Sequence, residues 1–239
     1  MLALMPHHEV VAESTPRLAR TTHREPKVEG TPNLTGQSFE QASVSTYLSR
    51  EDLFLEGDEA SSVFEVLEGV ICAYRLLADG QRHVVSFFYP GDLLGYCCHA
   101  SYAFSAQALS TVRVRRIPRA SVERLVEAQP EFARKLLRLA ADELTATRDH
   151  LLCLASKSAE AKMASFLLAL SRRNRQAGDD PTRILLPMTR IDIGDYLGLT
   201  IETVSRTLSK FKRAGLISLP RTSLVQIRDL QELEVVAQH

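Results

Sequence analysis

Gly194-Asp195-Tyr196-Leu197-Gly198-Leu199-Thr200-Ile201-Glu202-Thr203-Val204-Ser205-Arg206 reads as the end of one helix, a tight turn and the start of another. Ile193 and Leu197 lie four apart and share one face of the first helix. Gly194 carries no side chain and permits close approach. Gly198 suits the left-handed residue that closes a helix. Thr200 suits the N-cap of the second helix, and Glu202 puts a carboxylate in its first turn, where the helix dipole favours it.

The second helix has two unlike faces. Val204, Leu208 and Phe211 recur at spacings of four and three and form the buried side. Glu202, Thr203, Ser205, Arg206, Ser209, Lys210 and Arg213 form the other. A guanidinium bonds O6 and N7 of guanine together, and a carboxylate accepts from N4 of cytosine. Glu202, Ser205 and Arg206 are therefore the candidates for base readout. Thr200, Thr203, Ser209, Lys210, Lys212, Arg213 and Arg221 are the candidates for phosphate contacts, which position a helix in the major groove without specifying sequence. The competing reading is an ordinary amphipathic helix pair with a solvated charged face.

Gly215 ends the second helix. Leu216-Ile217-Ser218-Leu219 and Leu224-Val225-Gln226-Ile227 flank a polar turn and read as a β-hairpin, with Arg221 near its tip. Ile184-Leu185-Leu186-Pro187 supplies a further short strand. Helix-turn-helix plus hairpin makes a winged helix.

The stretch from Met188 to Arg206 resembles the DNA-binding motif of the CRP/FNR family of bacterial transcription regulators. The resemblance runs from about Tyr47 to the end of the chain. Glu202, Ser205 and Arg206 together resemble the FNR branch; the cyclic-AMP branch has an Arg where this chain has Ile201. The resemblance implies a palindromic site of the type TTGAT-N4-ATCAA on double-stranded DNA, contact with RNA polymerase, and an α+β fold. That fold has an N-terminal cyclic-nucleotide-binding-type β-roll, a long dimerisation helix and a C-terminal winged helix-turn-helix.

Composition agrees with a local rather than a global charge. The 239 residues carry a formal net charge of +0, which argues against a general polycation. Between Arg206 and Arg213 there are four basic residues and no acidic one. Four cysteines make no disulfide framework in a chain of this length and point to a reducing cytoplasm. No apolar run approaches a membrane span. Met1-Leu2-Ala3-Leu4-Met5 is too short for a signal-peptide core.

Residues 1–45 are rich in Ser, Thr, Pro, Glu and Arg and read as a mostly disordered segment. Residues 46–119 read as the β-roll, a sensor-like domain: Gly57, Gly69, Gly80 and Gly91 punctuate short apolar runs at intervals of 12, 11 and 11. Residues 120–155 read as the dimerisation helix, with Pro130 at a helix start. There Leu137, Ala140, Leu144, Thr147, Leu151 and Leu154 continue a heptad seam from Ala133, the pattern of a parallel homodimer. The competing reading is one helix packed on its own domain. Residues 156–239 form the winged-helix DNA-binding domain.

No signal for a sensor stands out, and no cofactor or metal is expected. Gly91-Asp92-Leu93-Leu94-Gly95 resembles the start of the family's phosphate cassette. Phe104-Ser105-Ala106 then stands where that cassette has its Arg-Ser pair, and no Lys or Arg lies between Arg82 and Arg113. An iron–sulfur cluster needs about four thiolates. The FNR type places three in the N-terminal segment, and residues 1–71 contain no Cys here. Cys97-Cys98-His99 fits one Zn²⁺ poorly and has no partner pair. His83 and His99 lack the clustering of a metal enzyme, and neither Cys97 nor Cys153 has an identifiable base, so no enzyme is expected.

A reading head of FNR type without a visible sensor resembles the FixK group. Its members activate genes of microaerobic respiration, nitrogen fixation or denitrification and are controlled through their abundance. The alternative is a regulator of the same family that senses an unidentified small molecule or redox state in the roll.

Overall fold

The computed structural model describes residues 42–96 and 100–238. The expected disordered segment, apart from its last few residues, lies outside them, as do Cys97, Cys98 and His99.

Two four-stranded antiparallel sheets build the N-terminal roll. Its strands are β1 (Ser43–Tyr47), β2 (Asp52–Phe54), β3 (Ser62–Glu68), β4 (Ile71–Leu76), β5 (Arg82–Phe88), β6 (Leu93–Leu94), β7 (Ser105–Ala108) and β8 (Val112–Pro118). One sheet runs β1-β8-β3-β6 and the other β2-β7-β4-β5. The first strand opens at Ser43, ahead of the expected boundary at 46, because Ser43 to Tyr47 pair without interruption with Arg116 to Val112.

Side chains of a strand alternate between its faces, and here both faces of each sheet have work. Phe64, Val66, Ile71, Ala73, Phe88, Val112 and Val114 point between the sheets into one core. Val63 and Ile117 point the other way, onto Val122 and Phe132 of the following helices. On that same side Glu65 and Arg115 stand opposite one another and form a buried ion pair. The run from Val70 to Tyr74 is apolar throughout because Cys72 and Tyr74 face the C-terminal domain while Ile71 and Ala73 face the roll.

The helical stretch after the roll is two helices, α1 (Arg119–Ala128) and α2 (Pro130–Ser156). Gln129 between them is extended, at φ −132° and ψ 97°. A proline disfavours helical backbone in the residue before it, and its own missing N–H costs nothing in a first turn. Leu136 packs beside Val63, Val122 and Phe132, tying the start of α2 to the roll.

The C-terminal domain comprises α3 (Ala159–Ala177), β9 (Arg183–Leu185), α4 (Arg190–Leu197), α5 (Ile201–Arg213), β10 (Ile217–Arg221), β11 (Leu224–Ile227) and α6 (Leu230–Val236). Its sheet order is β10-β11-β9. Met163, Phe166, Leu167 and Leu170 of α3 are all buried. The last helix was not expected from the sequence; Asp229 caps it through the backbone N–H of Glu232, and Leu233 fixes it to the core.

Helix α4 has a well-defined start. Thr189 and Asp192 form a reciprocal capping box. Burial opposes the charge of Asp192, but hydrogen bonds from Arg82 and Thr189 hold its carboxyl below the usual aspartate range. Gly198 ends the helix in the left-handed region at φ 61°. At Gly194, a Cβ would lie 2.6 Å from the carbonyl oxygen of Leu199, so the constraint comes from the turn itself.

Gly194→Ala should therefore destabilise the chain by about 1–3 kcal/mol in urea unfolding, because backbone must move to admit the methyl group. The depressed Asp192 carboxyl contributes stability that is complete above the usual aspartate range and is lost as the pH falls through its folded value. Melts of wild type and Asp192→Asn should accordingly differ at neutral pH and converge in acid.

Candidate nucleic-acid interface

Helix α5 follows a three-residue connection in which Thr200 sits as N-cap and accepts from the backbone N–H of Thr203 at 3.2 Å. The hydroxyls of Thr200 and Thr203 lie 3.1 Å apart and share a hydrogen bond. Val204, Thr207, Leu208 and Phe211 are buried, which turns the remaining face outward. Thr207 was not read as buried from the sequence; it lies one turn before Phe211.

Glu202, Ser205 and Arg206 are all exposed on that outward face. Hydrogen bonds from its own backbone N–H and the Thr200 hydroxyl, and attraction to Arg206, hold the Glu202 carboxyl below its usual range. It is therefore an ionised acceptor beside a permanent cation. Ser209 is exposed, and its hydroxyl donates to the Ser205 carbonyl at 2.8 Å. Lys212 and Arg213 are exposed at the far end of the helix. Lys210 differs from them: its Nζ donates to Oε1 of Glu160, at the start of α3, at 2.5 Å.

Arg221 ends β10 and is exposed at the wing tip. Beside it, Arg190 donates from Nη2 to the Thr222 carbonyl at 3.1 Å and joins the start of α4 to the wing. Sequence reading passed over Arg190; a cation directly after the Thr189 cap was the available signal.

The seam residues lie on α2. Leu137, Leu144 and Leu151 are 71%, 50% and 59% exposed, an unusual state for three leucines in register. Ala140 and Thr147 between them are exposed as well. Leu154 is different. It is partly buried, and a Cβ at Gly198 would lie 3.9 Å from its Cδ2, so the last seam position abuts the turn of the helix-turn-helix.

The strongest feature absent from the sequence reading is the junction between roll and C-terminal domain. Tyr196 of α4 lies among three aromatic rings from three other elements: His150 of α2, stacked at 4.1 Å, Phe87 of β5 at 5.1 Å and Phe166 of α3 at 5.8 Å. Arg82 of β5 reaches Asp192 of α4 at 2.5 Å, and Arg173 of α3 reaches Asp92 at 2.6 Å. These partners lie 110 and 81 residues apart in the chain.

In the roll, the place of the family's Arg-Ser pair is filled from within. Phe104 packs at 5.8 Å from Phe54 and 6.2 Å from Phe88. The Ser105 hydroxyl accepts from the backbone N–H of Glu56 at 2.9 Å. Asp92, beyond accepting from the backbone N–H of Tyr89, is engaged by Arg173. Burial pushes the Cys72 thiol up to about 12, which keeps it protonated and unreactive. Among the described residues, no three His, Cys, Asp or Glu side chains are grouped to hold a metal ion, and no helix is long and apolar enough to cross a membrane.

Residues 161–236 match the Crp-like helix-turn-helix domain, and residues 44–129 match the cyclic nucleotide-binding domain. The chain is similar to the nitrogen fixation regulation protein FixK of Bradyrhizobium diazoefficiens, with 43% identity over 173 residues, 72% of this chain and 73% of the relative. It is also similar to the fumarate and nitrate reduction regulatory protein of Escherichia coli K12, with 35% identity over 191 residues, covering 79% and 76%. The solved structure of FixK2 from Bradyrhizobium japonicum superposes with a TM-score of 0.77 at 36% identity, covering 82% of this chain and 96% of that one. These relatives are regulators, not enzymes, and the chain belongs to the CRP/FNR family of DNA-binding transcription regulators, similar to its FixK members.

Proposed function

We propose that the chain acts in the cytoplasm as a homodimeric activator of the FixK type. It reads a TTGAT-N4-ATCAA palindrome and recruits RNA polymerase at genes of microaerobic or anaerobic metabolism or nitrogen fixation. In this reading residues 46–119 form the sensor-like roll, 120–155 carry the dimer seam and 156–239 bind DNA. The observation that carries it is the outward face of α5, where ionised Glu202 and Arg206 stand one turn apart on a helix held by Val204, Leu208 and Phe211.

Glu202, Ser205 and Arg206 read base edges. Thr200, Thr203, Ser209, Lys210, Lys212, Arg213 and Arg221 meet phosphates. Leu137, Ala140, Leu144, Thr147 and Leu151 meet their counterparts in a second copy, with Leu154 closing the seam against the turn. The exposed leucines on α2 support this pairing, since burial against a second helix removes them from water. Binding needs neither a cyclic nucleotide nor an iron–sulfur cluster; the aromatic filling around Phe104 supports the first part, and the lack of Cys before residue 72 the second.

Purified without added ligand, the chain is expected to shift a TTGAT-N4-ATCAA duplex and leave a scrambled duplex of equal length unbound at the same salt. Absence of binding by a well-folded dimer would instead indicate a missing effector or oxidative damage. Arg206→Ala should weaken specific binding by about 1–3 kcal/mol and relax the choice at one base pair; unchanged selectivity removes Arg206 from base readout. Leu144→Glu should give a monomer in light scattering that no longer binds the palindrome, and a variant that stays dimeric rejects the seam register.

A further inference from the structure

The two ion pairs of the junction are reciprocal. Arg82 of the roll reaches Asp192 of the C-terminal domain, and Arg173 of the C-terminal domain reaches Asp92 of the roll. Each guanidinium also lies over a tyrosine ring of the roll: Arg82 at 4.5 Å from the Tyr74 centroid, and Arg173 at 4.6 Å from that of Tyr89. Each cation is thus held on two sides, by a ring face and by a carboxylate.

The placement of the pairs matters as much as their chemistry. Arg82 begins β5, and Asp92 lies a short turn beyond its end. The two attachment points are separated by roughly 20 Å of strand. Between them Phe87 meets Tyr196 and Phe166. Apolar contact is non-directional and tolerates sliding; charge-assisted hydrogen bonds at two separated points do not. One pair grips α4 itself, through the carboxylate that also caps it, and α5 packs on α4 through the shared core.

We propose that Arg82–Asp192 and Arg173–Asp92 are positioning pairs that fix the angle at which α5 is presented, and thereby set the half-site spacing that a pair of chains accepts on DNA. The proposal rests on the dimeric, palindrome-binding reading above. Dimer contacts on α2 fix the rolls, and α2 also touches the start of the helix-turn-helix through His150 on Tyr196 and Leu154 beside Gly198. The recognition helices inherit that alignment through the junction. Adding or removing one base pair between half-sites rotates one of them by about 35° and moves it by about 3.4 Å. A rigid junction rejects such a site, and a loose one follows it.

The test uses the full chain and duplexes TTGAT-Nn-ATCAA with n of three, four and five. Wild type should prefer n of four over either neighbour by at least about tenfold. Arg82→Gln with Arg173→Gln should lose about tenfold for n of four and bind the three spacings within about threefold of one another. It should retain the wild-type penalty for a base change inside a half-site, which a damaged reading helix would not. Spacing preference unchanged in a folded, dimeric double variant overturns the proposal. Wild type that binds all three spacings alike overturns it too, while leaving palindrome binding intact. Wild type that binds none of them overturns the functional reading, and the spacing proposal with it. If the double variant fails to fold, the exchange of Asp92→Arg with Arg173→Asp decides: it should restore the spacing preference lost in Asp92→Arg alone, and failure to restore it counts against the pair.

Discussion

The C-terminal core is not closed by its own residues. Met163, Leu167, Ile193, Val204, Leu208 and Phe211 share one apolar cluster with Val70, Cys72, Tyr74, Val84 and Phe87 of the roll. Sheet strands must bury whatever their outer faces carry, and β4 and β5 carry apolar side chains on both faces. The winged helix is the layer that covers them. Because apolar burial dominates folding free energy, the two domains share a stability term, and the reading helix is mounted on a surface that the roll completes.

Polar groups in that shared surface then need partners across it. Asp192 is 5% exposed and charged, a state that persists only with hydrogen bonds and a counter-ion. Thr189 supplies hydrogen bonds from within the domain, and Arg82 supplies the charge from outside it. Tyr196 plays the matching apolar part, with rings from α2, α3 and β5 against it. The helix that precedes the turn is thus positioned by three other elements, while the helix that follows it keeps its outer face open.

The sequence made the local part of this legible and left the long-range part hidden. Gly198 and Thr200 announce their roles through conformational preferences that act within a few residues. The face segregation of α5 follows from a helical period visible in thirteen residues. The strands of the roll were legible as short apolar runs between turns. The break at Gln129 was half legible: Pro130 marked a start, while the extended residue ahead of it was missed, so one helical region became two. Helix α6 was missed because a seven-residue helix shows scarcely two turns of periodicity. The Arg82–Asp192 and Arg173–Asp92 pairs had no signature, since any of the many Arg and Asp residues of the chain satisfies the same composition. Lys210 was legible as a cation on the right face, but not as one already engaged by Glu160.

That engagement changes how the cations of α5 count when salt is varied. On the proposed reading Lys212 and Arg213 would meet a phosphate from water, and each such contact frees condensed counter-ions from the duplex. Lys210 would meet one only by trading the Glu160 carboxylate for it. The trade strands Glu160 close to a polyanion, or obliges it to collect a cation from solution. On that reading the ionic-strength dependence of binding would report fewer charges than the helix displays, and the discrepancy would measure how far the protein has neutralised its own reading head in advance.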